Sequence, residues 1–203
     1  MRHGAFDGVG RVLSGRIPGT GLNASGRAQS RRLAERLADR RLAAIYSSPL
    51  QRAQDTATIL GQALALPVHI EPDLREVDFG EWNDRQVDDL TSDPVWQSFN
   101  QQRSTTRIPG GELMLEVQGR AIGALLRVAK RYPAQAVVLV THADVIRSVV
   151  AGCLGFSLDA MLRLSVECGS VTELCIGEHP PALIHLNDTA HLVSTASLVD
   201  LRR

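Results

Sequence analysis

Aromatic residues, lysine and cysteine are all scarce in this 203-residue chain. Only 4% of the residues are aromatic, so aliphatic and alanine side chains must fill most of any core. Lys130 is the single lysine, which makes nearly all of the positive charge guanidinium. The cysteines at 153, 168 and 175 are odd in number and lack CxxC spacing, which argues against a disulfide framework or a cysteine-based zinc site. A reducing cytoplasm is therefore the expected location.

Long apolar runs and net charge are absent as well. No apolar run approaches the ~20 residues that a membrane-spanning helix needs, and the N-terminus lacks the pattern of a secretion signal. The formal net charge is zero, which gives no reason to expect a nucleic acid or an anionic membrane as partner. We expect neither. The length and the 44% hydrophobic content fit one domain over residues 1–203.

The first residues carry the first chemical signal. Arg2-His3-Gly4 offers a phosphate-binding cation, a nucleophilic imidazole and a backbone position without a side chain. Alone, this tripeptide is a weak signal, and without the rest of the chain it would favour an exposed histidine on a frayed terminus. The glycine-rich residues 5–22 that follow predict an irregular loop whose amides could face an anion.

A strand followed by a helix comes next. Residues 23–39 predict a helix capped by Asn23 or Ser25, and residues 43–46 predict a short buried strand. Ser48 then predicts an N-cap with Pro49 at the first position of a helix that ends near residue 64. Arg52 would lie in the first turn of that helix, where anions commonly bind. Residues 66–70 predict a second strand.

The middle of the chain predicts an insertion and then a long helix. Residues 80–112, about 30 in all, have apolar spacing that is poor for a core element, with short helices broken at Asp93-Pro94. Residues 113–131 predict a helix. Its expected apolar face comprises Leu115, Ile122, Leu125, Leu126 and Ala129.

The strongest strand prediction lies at residues 136–140. The run is apolar throughout, as in a strand covered on both faces, and it ends just before His142. His142 would therefore lie at the carboxyl end of a central strand, where open α/β sheets place ligands. A helix over 143–154 follows, then strands over 170–176 and 183–186. Residues 192–203 read as a loosely held tail.

Six segments together resemble the histidine phosphatase superfamily, the phosphoglycerate mutase-like enzymes, in its bacterial phosphatase branch. The resemblance covers nearly the whole chain in the family's order. The similar segments are Arg2-His3-Gly4, residues 15–26, residues 47–53 (SSPLQRA), residues 74–82 (LREVDFGEW), residues 138–142 (VLVTH) and residues 186–192 (LNDTAHL).

The resemblance implies a fold and a set of residue roles. The fold would be α/β, three layers with a mostly parallel central sheet and a small helical insertion over the active site. His3 would be the nucleophile and Glu76 the proton donor. Arg2, Arg52, His142 and Gly15 would bind the phosphate, without a metal or cofactor. A phosphoryl group in transfer carries negative charge on its equatorial oxygens, so two arginines and a histidine suit this task.

Asp78 and Glu81 are the alternative acids. We also expect Arg2 and Arg52 to lower the pKa of Glu76. The histidines at 69, 179, 185 and 191 have no motif partner and are assigned structural or surface roles.

Several positions depart from the family's pattern. Ala5, Phe6, Val9 and Ala143 stand where many members carry other residues. Family members also carry a short apolar strand before Arg-His-Gly, whereas this sequence begins one residue before it. We therefore expect several apolar residues before Met1, because without them neighbouring strands would have unpaired edges and His3 would lie on a frayed terminus.

Three functions remain open at this stage. The favoured one is hydrolysis of a small-molecule phosphomonoester, with a homodimer as the candidate assembly. The alternatives are a phosphoglycerate-type mutase and a non-catalytic phospholigand-binding protein. Retention of both a nucleophile and an acid argues against binding alone. Sugar phosphates, α-ribazole phosphate, phosphoglycerates and phosphoproteins are all candidate substrates.

Overall fold

A computed structural model describes residues 1–193 of the chain as an α/β structure. The helices are α1 (Ala24–Leu37), α2 (Gln51–Leu64), α3 (Val87–Leu90), α4 (Pro94–Gln101), α5 (Met114–Arg131) and α6 (Ala143–Leu154). The strands are β1 (Leu42–Ser47), β2 (Val68–Ile70), β3 (Ala136–Val140), β4 (Val171–Cys175) and β5 (Ala182–Asp188). Short 3-10 turns occupy Pro72–Leu74, Gly80–Trp82, Leu158–Arg163 and Ala190–Leu192. The tail predicted over 192–203 lies mostly outside the described residues.

The central sheet is parallel and has the order β2-β1-β3. Ile45 of β1 pairs with Val68 of β2 on one side and with Val138 of β3 on the other. Strands β4 and β5 form a separate antiparallel pair. The predicted parallel α/β architecture is confirmed. Each predicted strand begins and ends within two residues of the observed strand.

Helices cover both faces of β1. Successive side chains of the strand point to opposite faces of the sheet, so each face presents apolar side chains to a helix. Ile45 packs with Leu33 of α1 and Leu60 of α2, whereas Ala44 and Tyr46 pack with α5. This arrangement gives the expected three layers.

The buried face of α5 differs from the predicted one. Leu115 is 50% exposed and Leu126 is 53% exposed, whereas Met114 is fully buried. The helix buries Met114, Val117, Ala121, Ala124 and Val128. The prediction followed the leucines, whereas the helix packs through Met114 and the smaller side chains of the same face, and Leu115 and Leu126 remain exposed.

Residues 80–112 contribute to a core that they share with α5 and α6, contrary to the prediction from their spacing. Trp82, Leu90, Phe99 and Ile108 are all buried and pack against α5 and α6. Asp93 caps α4 and Pro94 is its first residue, so this dipeptide starts a helix a few residues after α3 has ended. The spacing appeared poor because these apolar residues come from turns and short helices and converge only in three dimensions.

A large groove runs along β3 beside the N-terminus. Its volume is about 1080 Å³, and its lining includes Met1, residues 136–139 of β3 and residues 171–175 of β4. The side chains of β3 are accordingly only partly buried along most of the strand, so the prediction of a strand covered on both faces is wrong.

Candidate active site

Backbone hydrogen bonds hold the N-terminal residues on both sides. The N–H of His3 donates to the Thr141 carbonyl over 3.0 Å, and the His3 carbonyl accepts from the Gly169 N–H over 2.9 Å. Arg2 forms a parallel bridge with Thr141. His3 is 2% exposed. The expectation of a frayed nucleophile is therefore wrong for this structure, because the segments that end at Thr141 and begin at Gly169 fix residues 1–3 between them.

Gly4 is confirmed as a close-approach position. A Cβ at Gly4 would lie 2.5 Å from the carbonyl oxygen of Gly26, at the start of α1. The Gly4 N–H donates to Thr56 Oγ1 of α2 over 3.1 Å. Any side chain at this position would therefore push α1 away from the residue that follows His3.

The hydrogen bonds of the His3 ring define its tautomer. Nδ1 lies 2.8 Å from the Gly4 carbonyl oxygen, which only accepts, so Nδ1 carries the proton. Nε2 then carries a lone pair, and Arg52 Nε donates to it over 3.2 Å. Burial and, secondly, the charge of Arg52 hold the pKa of His3 well below its usual value. His3 is therefore neutral at pH 7 and presents a nucleophilic nitrogen.

His142 lies beside His3, with 5.0 Å between the ring centroids. Its Nε2 is 2.7 Å from Ser48 Oγ, which also accepts the Leu50 N–H over 3.3 Å. Within residues 1–193 the Ser48 hydroxyl has no acceptor other than His142 Nε2, so we assign it as the donor to Nε2, which puts the His142 proton on Nδ1. Burial and the nearby His3 lower the pKa of His142.

The predicted role of Ser48 as a helix cap is wrong. Helix α2 begins at Gln51, and Leu50 occupies the N-cap position. Ser48 instead lies two residues earlier in the chain, where its hydroxyl orients His142. The sequence pattern of serine followed by proline indicates a helix start but does not reveal that a histidine 94 residues later contacts the serine. Arg52 does lie in the first turn of α2, as predicted.

Three N–H donors around His3 have no partner. Arg2 Nε, Arg52 Nη1 and His142 Nδ1 are buried and make no hydrogen bond within residues 1–193. Other bonds fix both guanidinium groups. Arg2 Nη1 donates to the Val166 carbonyl and Arg52 Nη2 donates to the Gly15 carbonyl, each over 2.7 Å. Since buried donors are normally paired, this group has the properties of a preorganised anion site.

Gly15 contacts this cluster through its carbonyl group. It has a φ of +35°, and a Cβ there would lie 2.2 Å from Asn83 Oδ1. Its carbonyl oxygen fixes the orientation of Arg52. The direct role of Gly15 in phosphate binding remains a prediction, and the contact with Arg52 adds a positioning role that the sequence does not indicate.

Glu76 lies in the same cavity as a half-buried carboxyl group. Its Oε1 accepts the Val77 N–H over 3.0 Å, and Arg16 Nε donates to its backbone carbonyl over 3.0 Å. Burial, reinforced by the negative charge of Asp144, raises the pKa of Glu76 to about 7. The expectation of a lowered pKa is wrong, because desolvation and Asp144 outweigh Arg52 and Arg2.

The alternative acids are placed differently. Asp78 accepts from Arg16 Nη1 over 3.1 Å and from the Gly80 N–H over 3.0 Å, so other groups already bind both of its oxygens. Glu81 is exposed. Neither residue lines the cavity that contains His3, which favours Glu76 among the three acids.

The cavity itself has a volume of about 220 Å³. Its polar lining includes Arg2, His3, Arg52 and Glu76, together with Asp144 and Arg147, which the sequence interpretation did not identify. The rest of its lining comes from Phe6, Val9, Gly10, Val12, Leu13, Ser14, Gly15, Phe79, Val87 and Ala143. Asp144 and Arg147 occur two and five positions after His142, in the first turns of α6. Polar residues so close in sequence to a predicted site histidine are the signal that could have identified them as cavity residues.

Phe6, one of the departures from the family pattern, packs against the cluster. Its ring centroid lies 5.5 Å from that of His3 and 5.1 Å from the guanidinium carbon of Arg52.

Within residues 1–193, three or more His, Cys, Asp or Glu side chains nowhere gather closely enough to hold a metal ion. No helix in that range is long and apolar enough to cross a membrane.

Comparisons with known proteins identify relatives of this chain. The chain is 30% identical over 173 residues to phosphoserine phosphatase 1 of Hydrogenobacter thermophilus, covering 84% of this chain and 82% of the relative. It is 32% identical over 161 residues to the probable phosphoglycerate mutase GpmB of Enterobacter sp. strain 638, covering 78% and 75%. The solved structure of Bacillus stearothermophilus YhfR superposes with a TM-score of 0.88 at 28% identity, covering 95% of this chain and 96% of that one.

The family model that describes the histidine phosphatase superfamily, branch 1, matches residues 1–189. That range includes all of the motifs on which the resemblance rested. The chain belongs to the histidine phosphatase superfamily and is a phosphatase of that family.

Proposed function

We propose that this enzyme hydrolyses a small phosphomonoester through a phosphohistidine at His3, without a metal ion. The observation that carries the proposal is a set of three buried donors, Arg2 Nε, Arg52 Nη1 and His142 Nδ1, that have no partner within residues 1–193. They belong to the residue before His3, to the arginine that bonds His3 Nε2 and to the histidine whose ring lies 5.0 Å from that of His3. These donors suit the equatorial oxygens of a phosphoryl group. Because two guanidinium groups are cationic, they supply the charge that a divalent ion supplies in other phosphoryl-transfer enzymes.

The reaction would proceed in two steps. His3 Nε2 attacks phosphorus and forms an N–P bond, while the bond from phosphorus to the alcohol oxygen breaks and Glu76 gives that oxygen its proton. The Glu76 carboxylate then takes a proton from water, which attacks phosphorus and breaks the N–P bond. Inorganic phosphate leaves, and His3 and Glu76 return to their starting states.

The size of the cavity supports a small substrate. Its volume of about 220 Å³ lies below the 300–1,000 Å³ typical of sites for drug-sized ligands. A leaving group of a few carbon atoms would fill it. The similarity to a probable phosphoglycerate mutase favours one alternative, transfer of the phosphoryl group to a second hydroxyl of the same substrate.

The decisive experiment is to trap the intermediate. Brief incubation with a radiolabelled phosphomonoester and quenching in alkali, which preserves phosphohistidine, should leave label on the wild-type protein. His3→Ala should carry no label and hydrolyse neither alkyl nor aryl phosphates. His179→Ala, which changes an exposed histidine far from the cavity, serves as the matched control and should be labelled normally. Label on His3→Ala would overturn the proposed nucleophile.

Two further measurements test the metal and the alternative function. Hydrolysis should persist in a chelator and should be inhibited by vanadate, which mimics phosphorus in transfer. Loss of activity in chelator that a divalent ion restores would contradict the metal-independent mechanism. Movement of label between two hydroxyl positions of one substrate, faster than release of inorganic phosphate, would favour a mutase.

A further inference from the structure

Arg147 lies in the part of the cavity that the phosphohistidine mechanism does not use. Its Nε donates to the Leu164 carbonyl over 2.8 Å, and its Nη1 donates to Asp144 Oδ1, also over 2.8 Å. Its Nη2 has no hydrogen-bond partner in the part of the chain that the structure describes. Two contacts therefore fix the guanidinium group, while one N–H₂ remains free in a residue that lines the cavity.

Asp144 cannot itself serve as a free acceptor for a ligand. Its Oδ2 accepts from Arg103 Nη1 over 3.1 Å, and its Oδ1 accepts from Arg147. Arg103 is 4% exposed and packs over the ring of Phe99, with 4.4 Å between its guanidinium carbon and the ring centroid. Two guanidinium groups thus share one carboxylate. This cluster of Arg103, Asp144 and Arg147 carries a net charge of +1, and Arg147 presents that charge to the cavity.

The position of the cluster relative to Glu76 shows which part of a substrate would meet it. Asp144 and Arg147 line the same cavity as Glu76. Glu76, as the proposed proton donor, must face the oxygen of the leaving alcohol. Within residues 1–193, Arg147 bonds Leu164 and Asp144 and none of the groups proposed to bind the phosphoryl oxygens, so it is placed on the leaving-group side of the cavity.

We propose that Arg147 is a specificity-determining residue that binds a carboxylate on the leaving group, so that the preferred substrate is a small phosphorylated hydroxy acid or amino acid. A carboxylate carries one negative charge, which matches the net charge of the cluster. The fixed N–H₂ of Arg147 provides a charge-assisted hydrogen bond of the kind that guanidinium groups make with carboxylates. This inference rests on the proposed function.

The test compares substrates that differ only in the carboxylate. 3-Phosphoglycerate and glycerol 3-phosphate have the same carbon skeleton, with a carboxylate in one and a hydroxymethyl group in the other. Phosphoserine and phosphoethanolamine form a second pair. The wild-type enzyme should prefer the carboxylate member of at least one pair by ten- to a hundredfold in kcat/KM, a range typical for one hydrogen bond to a charged group.

Substitution of Arg147 then separates recognition from structure. Arg147→Gln should reduce the preference, expressed as the ratio of the two kcat/KM values, by at least about tenfold. Arg147→Lys should retain only part of it, because the cation remains but the fork that bonds Leu164, Asp144 and the ligand together is lost. Arg163→Gln, which changes an exposed arginine outside the cavity, should leave the ratio as in the wild type. The circular dichroism spectrum and the rate with nitrophenyl phosphate report whether each variant folds.

Several results would overturn the inference. A wild-type enzyme that hydrolyses nitrophenyl phosphate but does not distinguish the members of either pair would overturn it and leave the proposed function intact. So would equal losses for both members of a pair in Arg147→Gln, since those indicate a purely structural role. If Arg147→Gln does not fold, Arg147→Met takes its place. An Arg147→Met enzyme that prefers the carboxylate member as strongly as the wild type does would overturn the inference, and so would a wild type that shows no preference. Failure to hydrolyse any phosphomonoester would overturn the proposed function as well.

Discussion

Replacement of Glu76 by glutamine should separate substrates by the leaving group. An alkyl phosphate needs a proton on its departing oxygen, and a positioned acid typically contributes about 10²–10⁴-fold to such a rate. Glutamine keeps the size of the side chain but has no acidic proton. We therefore expect Glu76→Gln to slow hydrolysis of glycerol 3-phosphate by ~10²–10⁴-fold. Nitrophenyl phosphate should lose no more than about tenfold, or ~1.4 kcal/mol of barrier, because nitrophenolate leaves without a proton.

The pH dependence of the hydrolysis rate also tests whether Glu76 is the acid. Since the pKa of Glu76 is raised to about 7, roughly half of these carboxyl groups are protonated at pH 7 before substrate binds. For alkyl phosphates, kcat/KM should fall as the pH rises above 7, because only the protonated acid can donate. For kcat, the fall should occur at higher pH, since a bound phosphate dianion favours the protonated carboxyl group.

The measurements are steady-state rates with both substrates from pH 5.5 to 9. The descending limb for the alkyl substrate should disappear in Glu76→Gln. Glu81→Gln, at an exposed carboxylate nearby in sequence, is the matched control and should behave as the wild type. Equal losses for both substrates in Glu76→Gln, or a selective loss for the alkyl substrate in Asp78→Asn, would refute the assignment of the acid.

Two further predictions concern groups that the structure identifies. Ser48→Ala removes the hydroxyl that orients His142 and should lower kcat/KM by about ten- to a hundredfold, as expected for one bond to a charged intermediate. Ser47→Ala, whose hydroxyl bonds only the Ser48 carbonyl, should lose much less, and equal losses in assays of the two variants would contradict the role of Ser48. Met114→Ala should reduce the free energy of unfolding by about 2–5 kcal/mol and Leu115→Ala by less than about 0.5 kcal/mol, since the first side chain is fully buried and the second is half exposed. Urea denaturation measures both values, and the reverse order would show that α5 packs through its large leucines after all.

The sequence alone determined the elements that local patterns encode. Asn23 predicts the cap of α1, and its side chain does accept the Gly26 N–H. The run at residues 136–140 predicts β3 with the correct ends, because an apolar stretch of this length between loop signals has few other interpretations. The order of the motifs likewise identified the family. His142 at the end of β3 follows from the general rule that ligands bind at the carboxyl ends of parallel strands.

The tertiary structure decided the properties that depend on residues far apart in the sequence. The pKa of Glu76 rises because burial and Asp144, 68 positions later in the sequence, outweigh the arginines that a reading of the motif places beside it. Ser48 orients His142 although its local pattern indicates a helix cap. The buried face of α5 comprises Met114 and four smaller side chains, because these are the positions that the neighbouring elements cover. Local sequence specifies backbone conformation, whereas desolvation and charge depend on neighbours that only the folded chain brings together.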